Sequence, residues 1–282
     1  MKQINISELK KSLNEKGYCN IENFFSENEI QFIREEAKKN LNIDKEIFSI
    51  ESLKKFFLDQ RFLKLVNEVL GEETCYFGES SIYGREQRGV GKFHTDAKWD
   101  NGDPSSTTYP IYRMGIFLQD HYLQSGGIKF KEFSHKKVFF DFKRIKSYFS
   151  LIKDLVKKRV SIKSIITPTK LKNMRTKVGD ILIWNMRLHH CGRFRLLKHN
   201  PNFSLPPILE KIIPTKFFLK GSSERLAIFI AWGKDSESLK NYYLNRIHKK
   251  TLKTILENST FYKDQSVQDN FKKNNLNIYY KI

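Results

Sequence analysis

The sequence predicts one β core with helical decoration, a mainly β member of the α+β class. Three observations carry that expectation. Short aromatic and β-branched runs punctuated by glycine fill residues 75 to about 130 and return at 178–184 and 226–232. Segments with apolar residues three and four apart lie before Gly71 and again over 236–257. No internal repeat or low-complexity linker divides the 282 residues, so 1–282 is expected to form one domain. Hydrophobic residues at 39% and aromatics at 13% suffice for a sizeable core.

Taken in order, Ser7 is expected to cap a helix over 7–16 that Gly17 ends, with Leu9 and Leu13 as its apolar stripe. Residues 18–21 read as a strand. Ser26 and Glu29 have the spacing of a capping box and open a helix to about Leu41, with Ile30, Ile33 and Ala37 on one face. Residues 51–70 hold one or two helices, with Phe56, Phe57, Leu63, Val66 and Leu70 as apolar positions and Gly71 as the stop. Strands are expected over 75–83 and 113–119, and a third leads out of the tight turn Gly126-Gly127. Residues 141–177 carry twelve Lys or Arg against two Asp, with Ile145, Phe149, Ile152 and Val156 at helical spacing, and read as a basic helical insertion. A strand returns over 178–184. A second insertion, 194–222, holds four of the seven prolines. Strand 226–232 and a helical region at 236–257 precede a polar tail to Ile282.

The formal charge of +20 implies attraction to an anion: a phosphorylated or carboxylated small molecule, a nucleotide-linked donor, nucleic acid or a membrane surface. Lys-, Asn- and Ile-rich usage of the kind an AT-biased genome gives raises that charge by itself. Cys19, Cys75 and Cys191 are scattered, with no CxxC pair, so no disulfide framework is expected and a reducing cytoplasm is the default. The first 17 residues have no apolar stretch of the signal-peptide kind, and the longest apolar run, 226–232, is far short of a membrane span.

The chemistry-bearing stretch is Gly91-Lys92-Phe93-His94-Thr95-Asp96-Ala97-Lys98-Trp99. In an extended segment residues i and i+2 share a face, so His94 and Asp96 can grip one metal ion from one side. A later histidine would complete a two-histidine, one-carboxylate facial triad, a ligand set suited to non-haem iron(II). Strand 178–184 runs into Asn185-Met186-Arg187-Leu188-His189-His190-Cys191-Gly192. Adjacent residues in an extended segment face opposite ways, so one of the two histidines is the ligand, and the residues alone leave both open. His199 and His248 sit in polar surroundings and read as surface.

Together these landmarks resemble the phytanoyl-CoA dioxygenase family of iron(II)- and 2-oxoglutarate-dependent oxygenases. His94-Thr95-Asp96 is similar to its proximal metal motif. Phe117-Leu118-Gln119-Asp120-His121, then Ser125-Gly126-Gly127 and Ser134-His135-Lys136, resembles the segment between the ligands. Val178-Gly179-Asp180-Ile181-Leu182-Ile183-Trp184 followed by Arg187-Leu188-His189-His190 resembles the segment delivering the distal histidine. On that register His190 is the ligand and His189 is not. Gly17-Tyr18 and Phe24-Phe25-Ser26 match the family's opening, and the likeness runs over about 10–235. Two places depart from the pattern. Glu132-Phe133 stands where the family has Pro-Gly. The arginine that anchors the far carboxylate of 2-oxoglutarate usually follows the distal histidine closely; Arg193 and Arg195 come too early, and Arg225, opening the strand 226–232, is placed in that role.

The resemblance implies a double-stranded β-helix (jelly-roll, cupin-like) core flanked by N- and C-terminal helices. It also implies Fe(II), 2-oxoglutarate as cosubstrate and O2, with succinate and CO2 released. The substrate is expected to be a small polar or anionic metabolite, hydroxylated or otherwise oxidised. Halogenating relatives lack the carboxylate, so Asp96 argues for oxidation. Tyr83 and Arg113 are expected to line the pocket or touch 2-oxoglutarate. Lys92, Lys98 and Trp99 are candidate substrate contacts. Asp120 and His135 are expected to hold the Gly-Gly turn and its loop, and Trp184 to sit in the core. An oxygenase acting on acyl-CoA, a non-catalytic anion-binding or regulatory protein on the same scaffold, and a zinc hydrolase are the alternatives. The hydrolase lacks an identifiable general base. Nucleic acid is disfavoured because no base-stacking platform is apparent.

Overall fold

The computed structural model describes residues 4–41, 43, 45–86, 91–97, 109–136, 169–192, 194–221, 224–247 and 250–280. The chain opens with helix α1 (Ile6–Lys16), strand β1 (Tyr18–Ile21) and helices α2 (Glu27–Lys39), α3 (Glu51–Phe57) and α4 (Gln60–Leu70). Strands β2 (Thr74–Glu86), β3 (Ile111–Phe117), β4 (Ile128–Glu132), β5 (Lys170–Met174), β6 (Ile181–Asn185) and β7 (His190–Gly192) follow. A short helix α5 (Pro207–Ile212) precedes the long strand β8 (Glu224–Lys234). Helices α6 (Glu237–Ile247), α7 (Lys250–Glu257) and α8 (Gln265–Lys273) and the two-residue strand β9 (Asn277–Ile278) come last.

Local signals explain most boundaries. Ser26 accepts the Glu29 N–H while the Glu29 carboxylate accepts the Ser26 N–H, so the expected capping box forms. Helix α1 starts earlier than expected: Asn5, an equally good cap, accepts the Glu8 N–H, and Ser7 lies exposed in the first turn. Gly17 closes α1 in the left-handed region that glycine tolerates.

The strands make two sheets. One has six strands in the order β1-β6-β3-β8-β2-β9, antiparallel except at the β2–β9 edge. The other has three antiparallel strands, β5-β4-β7. The period-two alternation of side chains decides what each face buries. Ile181, Ile183, Ile228 and Ile230 join a large core with residues of α1–α4. Their neighbours Leu182, Trp184 and Ala227, with Phe229, join Phe117, Ile128, Phe130 and Met174 in a second cluster between the sheets. All five residues of β6 are buried because both faces are covered.

The insertions depart from the expectation in one respect. Residues 170–174 are the edge strand of the smaller sheet, with Asn173 and Met174 buried, so the basic segment ends inside the β core rather than as a helix. Its lysines hid the strand: Lys170 and Lys172 are both exposed and alternate along it. The helical run at 145–156 lies outside the described residues. Residues 194–221 fold onto the outer side of β4, where buried Lys129 pairs with buried Glu210 of α5 and Lys129 Nζ also donates to the Leu205 carbonyl. Removing either partner would leave an uncompensated buried charge, a cost of about 3–5 kcal/mol.

Glu46 is buried beneath β2, its carboxylate accepting the Phe48 N–H and, at 2.9 Å, the Tyr76 hydroxyl. Burial is the largest influence and lifts its pKa from 4.5 to about 7, against the hydrogen bonds that oppose the rise. A raised carboxyl pKa contributes stability that is full below the unfolded value and is lost as pH climbs through the folded one. Between pH 4.5 and 8 this group is expected to cost the fold about 3 kcal/mol. Glu46→Gln keeps an acceptor for Phe48 and Tyr76, so its stability advantage over wild type is expected to grow from pH 5 to pH 8. Urea midpoints at the two values check it; parallel wild-type and variant curves would remove Glu46 as the source.

Cys19, Cys75 and Cys191 are free and buried. Among the described residues no helix is long and apolar enough to cross a membrane.

Candidate metal centre and its cavity

The site is assembled by backbone pairing. His94 and His190 exchange two hydrogen bonds, each 2.9 Å, as an antiparallel bridge between the 91–97 segment and β7. Residues paired in this way point their side chains to one face, and the two imidazole centroids lie 4.3 Å apart. Farther along, the Asp96 and Ala97 N–H groups both donate to the Met186 carbonyl, at 3.0 and 3.1 Å. At the other end the Gly91 N–H donates to the Gly192 carbonyl at 3.1 Å. A Cβ on Gly91 would sit 2.3 Å from that oxygen, so only glycine permits this approach.

The result is a cluster of His94, Asp96 and His190 whose donor atoms all lie within 4.8 Å of one another. His189 is not in it: its backbone N–H donates to Ser134 Oγ, and its side chain follows the opposite face of the strand. Ring tautomers are set locally. His94 Nδ1 lies 3.1 Å from the Lys92 carbonyl and His190 Nδ1 lies 2.9 Å from the Leu188 carbonyl. A carbonyl only accepts, so both Nδ1 atoms carry the proton and both Nε2 lone pairs are left for a metal. His190 is buried, which holds its pKa below the ordinary value despite the Asp96 carboxylate. For Asp96 burial pushes the other way, but the Arg113 guanidinium first, then the charge of either ring when protonated, and the Trp184 hydrogen bond outweigh it and lower the carboxyl pKa.

Arg225 closes the far side. It is 7% exposed at the start of β8, its guanidinium 5.3 Å from the Tyr83 ring centroid. The guanidinium packs on the backbone of β7: a Cβ on Gly192 would lie 2.6 Å from Arg225 Nη2. Gly192 is two residues beyond His190, so Arg225 and His190 lie along one short strand. Nearby, Gln119 Oε1 accepts the Leu226 N–H while its amide nitrogen lies 2.7 Å from His121 Nε2. Burial, then the Arg225 charge, drops the His121 pKa to about 3, so this imidazole stays neutral.

A cavity of about 680 Å³ joins these groups, lined by the three candidate ligands with Tyr83, Arg113, Trp184, Arg225, Phe229 and Ser81 and, at its mouth, exposed Lys92. Arg113 lines it while pairing with Glu79 at 2.7 Å and approaching Asp96 at 3.4 Å. Lys98, Trp99, Arg193 and His248 lie outside the described residues. His199 is exposed. Asp120 accepts the Tyr122 N–H, a local contact within 120–122 rather than one at the Gly126-Gly127 turn. His135 does not hold that turn: its Nε2 lies 3.2 Å from the Asn14 carbonyl, and its ring packs on Gly17 at the end of α1. Trp184 is buried as expected, yet its Nε1–H reaches Asp96 at 3.2 Å. Glu79, Tyr242 and Arg246 went unnoticed in the sequence. The signal for Glu79 was a lone carboxylate in the apolar run Cys75-Tyr76-Phe77-Gly78-Glu79, since a buried glutamate needs partners.

No family profile and no curated protein matches the sequence. Solved structures do share the fold. The non-haem α-ketoglutarate-dependent epimerase SnoN from nogalamycin biosynthesis, solved with Fe3+, α-ketoglutarate and nogalamycin RO, is 12% identical, with 81% of this chain and 83% of that one covered at a TM-score of 0.52. HygX from Streptomyces hygroscopicus, with nickel, 2-oxoglutarate and hygromycin B bound, is 19% identical over 81% and 87% of the chains at 0.53. The non-haem α-ketoglutarate-dependent carbocyclase SnoK from nogalamycin biosynthesis is 15% identical over 83% and 85% at 0.51.

Proposed function

We propose that this chain is a non-haem Fe(II)- and 2-oxoglutarate-dependent oxygenase, in which His94, Asp96 and His190 hold the iron and Arg225 anchors the far carboxylate of 2-oxoglutarate. The observation that carries this reading is the convergence of three donor side chains at one end of a cavity that also holds a buried arginine. Two imidazoles and one carboxylate, with an open side, suit iron(II). Shared fold with enzymes solved with iron or nickel and 2-oxoglutarate supports the same cofactors here. The two facing sheets we read as a double-stranded β-helix of the phytanoyl-CoA dioxygenase type.

Iron and 2-oxoglutarate supply the oxidising chemistry: substrate R–H, O2 and 2-oxoglutarate become R–OH, succinate and CO2. The residues of the chain bind and orient. The Lys92 and Leu188 carbonyls hold the Nδ1 side of each ring, so Nε2 would be the atom offered to a bound ion. The Arg225 guanidinium presents two parallel donors, the geometry a carboxylate matches. Among the described cavity-lining residues, Lys92, Arg113 and Arg225 face the single carboxylate of Asp96. With Arg225 engaged by cosubstrate, Lys92 at the mouth favours a small polar or anionic substrate. Tyr83 and Phe229 offer it an aromatic wall.

An anaerobic titration with Fe(II) and then 2-oxoglutarate tests the reading. A weak visible charge-transfer band is expected once both are present, and succinate release once oxygen and a suitable substrate are supplied. A protein that binds no iron and forms no succinate with any candidate substrate leaves the non-catalytic anion-binding alternative standing.

A further inference from the structure

The two oxygens of Asp96 have different surroundings. Oδ1 faces the gap between the donors, 3.7 Å from His190 Nε2. Oδ2 accepts the Trp184 Nε1–H at 3.2 Å and lies 3.4 Å from Arg113 Nε. Arg113 in turn donates through Nη2 to Glu79 Oε1 at 2.7 Å. Glu79 is 6% exposed and accepts two more donors, both from helix α6: Arg246 Nη2 at 2.9 Å and the Tyr242 hydroxyl at 2.8 Å. Tyr242 and Arg246 are four apart, so they share one face of the helix.

We propose that Arg113 and Glu79 are positioning residues that hold Asp96 to single-oxygen ligation, and that α6 is thereby part of the metal site. The proposal rests on the reading of His94, Asp96 and His190 as iron ligands. With Oδ2 hydrogen-bonded by Trp184 and ion-paired with Arg113, the carboxylate would be hindered from turning its second oxygen onto a bound ion. One-oxygen ligation would leave room on a bound ion for the cosubstrate and dioxygen. Arg113 by itself would draw charge away from the ligand. Buried Glu79 balances that cation and also accepts the two donors from α6. The chain Asp96–Arg113–Glu79–Tyr242/Arg246 therefore links the 91–97 segment, β3, β2 and a helix beyond the last long strand. Hydrogen-bonded carboxylate ligands are the kind of outer contact whose loss costs metal affinity without removing a ligand.

Anaerobic Fe(II) titration of the full chain, paired with the absorption spectrum of the Co(II)-loaded protein, tests this. Arg113→Met is expected to weaken Fe(II) binding about 10–100-fold and to shift the cobalt bands. Arg113→Lys restores the charge without the fork and is expected to recover part of the affinity and the spectrum. Arg246→Met, at the far end of the chain and partly exposed, is expected to weaken iron in the same direction by a smaller factor. A folded Arg113→Met with wild-type iron affinity and an unshifted cobalt spectrum overturns the proposal. If Arg113→Met does not fold, Arg246→Met decides: weakened iron binding supports the proposal, and unchanged binding overturns it. Failure of the wild type to bind Fe(II) would remove the functional reading and this proposal with it. Iron binding by wild type that the variants leave untouched removes this proposal alone.

Discussion

Replacing His190 with alanine is expected to lower Fe(II) affinity by more than the about 10–100-fold of an outer-shell change, and to erase the visible band formed with 2-oxoglutarate. His189→Ala is expected to leave both in place. The two residues are adjacent and chemically identical, so the contrast isolates strand register. His190 is bridged to His94 by two 2.9 Å backbone hydrogen bonds, which turns both rings to the Asp96 side. His189 donates its N–H to Ser134 and accepts from the Lys131 N–H, and the alternation of the strand carries its ring away. Thermal melts of both variants separate loss of a ligand from loss of the fold. A band that survives in a folded His190→Ala protein and disappears in His189→Ala would reverse the ligand assignment.

The same contrast shows what the sequence carries and what it does not. His94 and Asp96 were legible because a two-residue spacing in an extended stretch is local geometry. The choice between His189 and His190 is not local. It depends on which of them pairs with His94, almost a hundred positions away, and only likeness to a family supplied a register beforehand. Helix α2 was legible because its capping box is four residues long. Strand β5 was not, because exposed Lys170 and Lys172 blend into the basic segment before them, and what makes it a strand is β4 alongside. Arg113 was legible as a pocket residue but not in its pairing. Its partners come from β2 and the 91–97 segment, and α6 reaches it through Glu79, contacts between positions distant in the chain. Periodicity reports which face is apolar; it does not report which buried charge meets which.

Arg225 gives the second large expected effect. Arg225→Met is expected to weaken 2-oxoglutarate binding by about 3 kcal/mol, ~150-fold, because a buried carboxylate would lose its charged partner. Iron affinity should stay near wild type, since Arg225 packs on Gly192 and faces Tyr83 and is not a member of the Asp96–Arg113–Glu79 chain. Arg225→Lys keeps the charge and loses the two-pronged fit, so it should fall between. Gly192→Ala probes the same contact from the other side. The new methyl carbon would stand 2.6 Å from Nη2 and 2.7 Å from Nη1 of Arg225, atoms at the end of a flexible side chain, so the guanidinium moves and the strand does not. Because Gly192 lies two residues from His190, a strand that shifted would disturb iron binding as well. Titrating Fe(II) first and 2-oxoglutarate second, at saturating iron, separates the two steps. Loss confined to the second step in both Arg225→Met and Gly192→Ala ties the guanidinium position to cosubstrate capture. Unchanged 2-oxoglutarate affinity in Arg225→Met would move the anchor to another cation of the cavity, with Lys92 and Arg113 the described candidates.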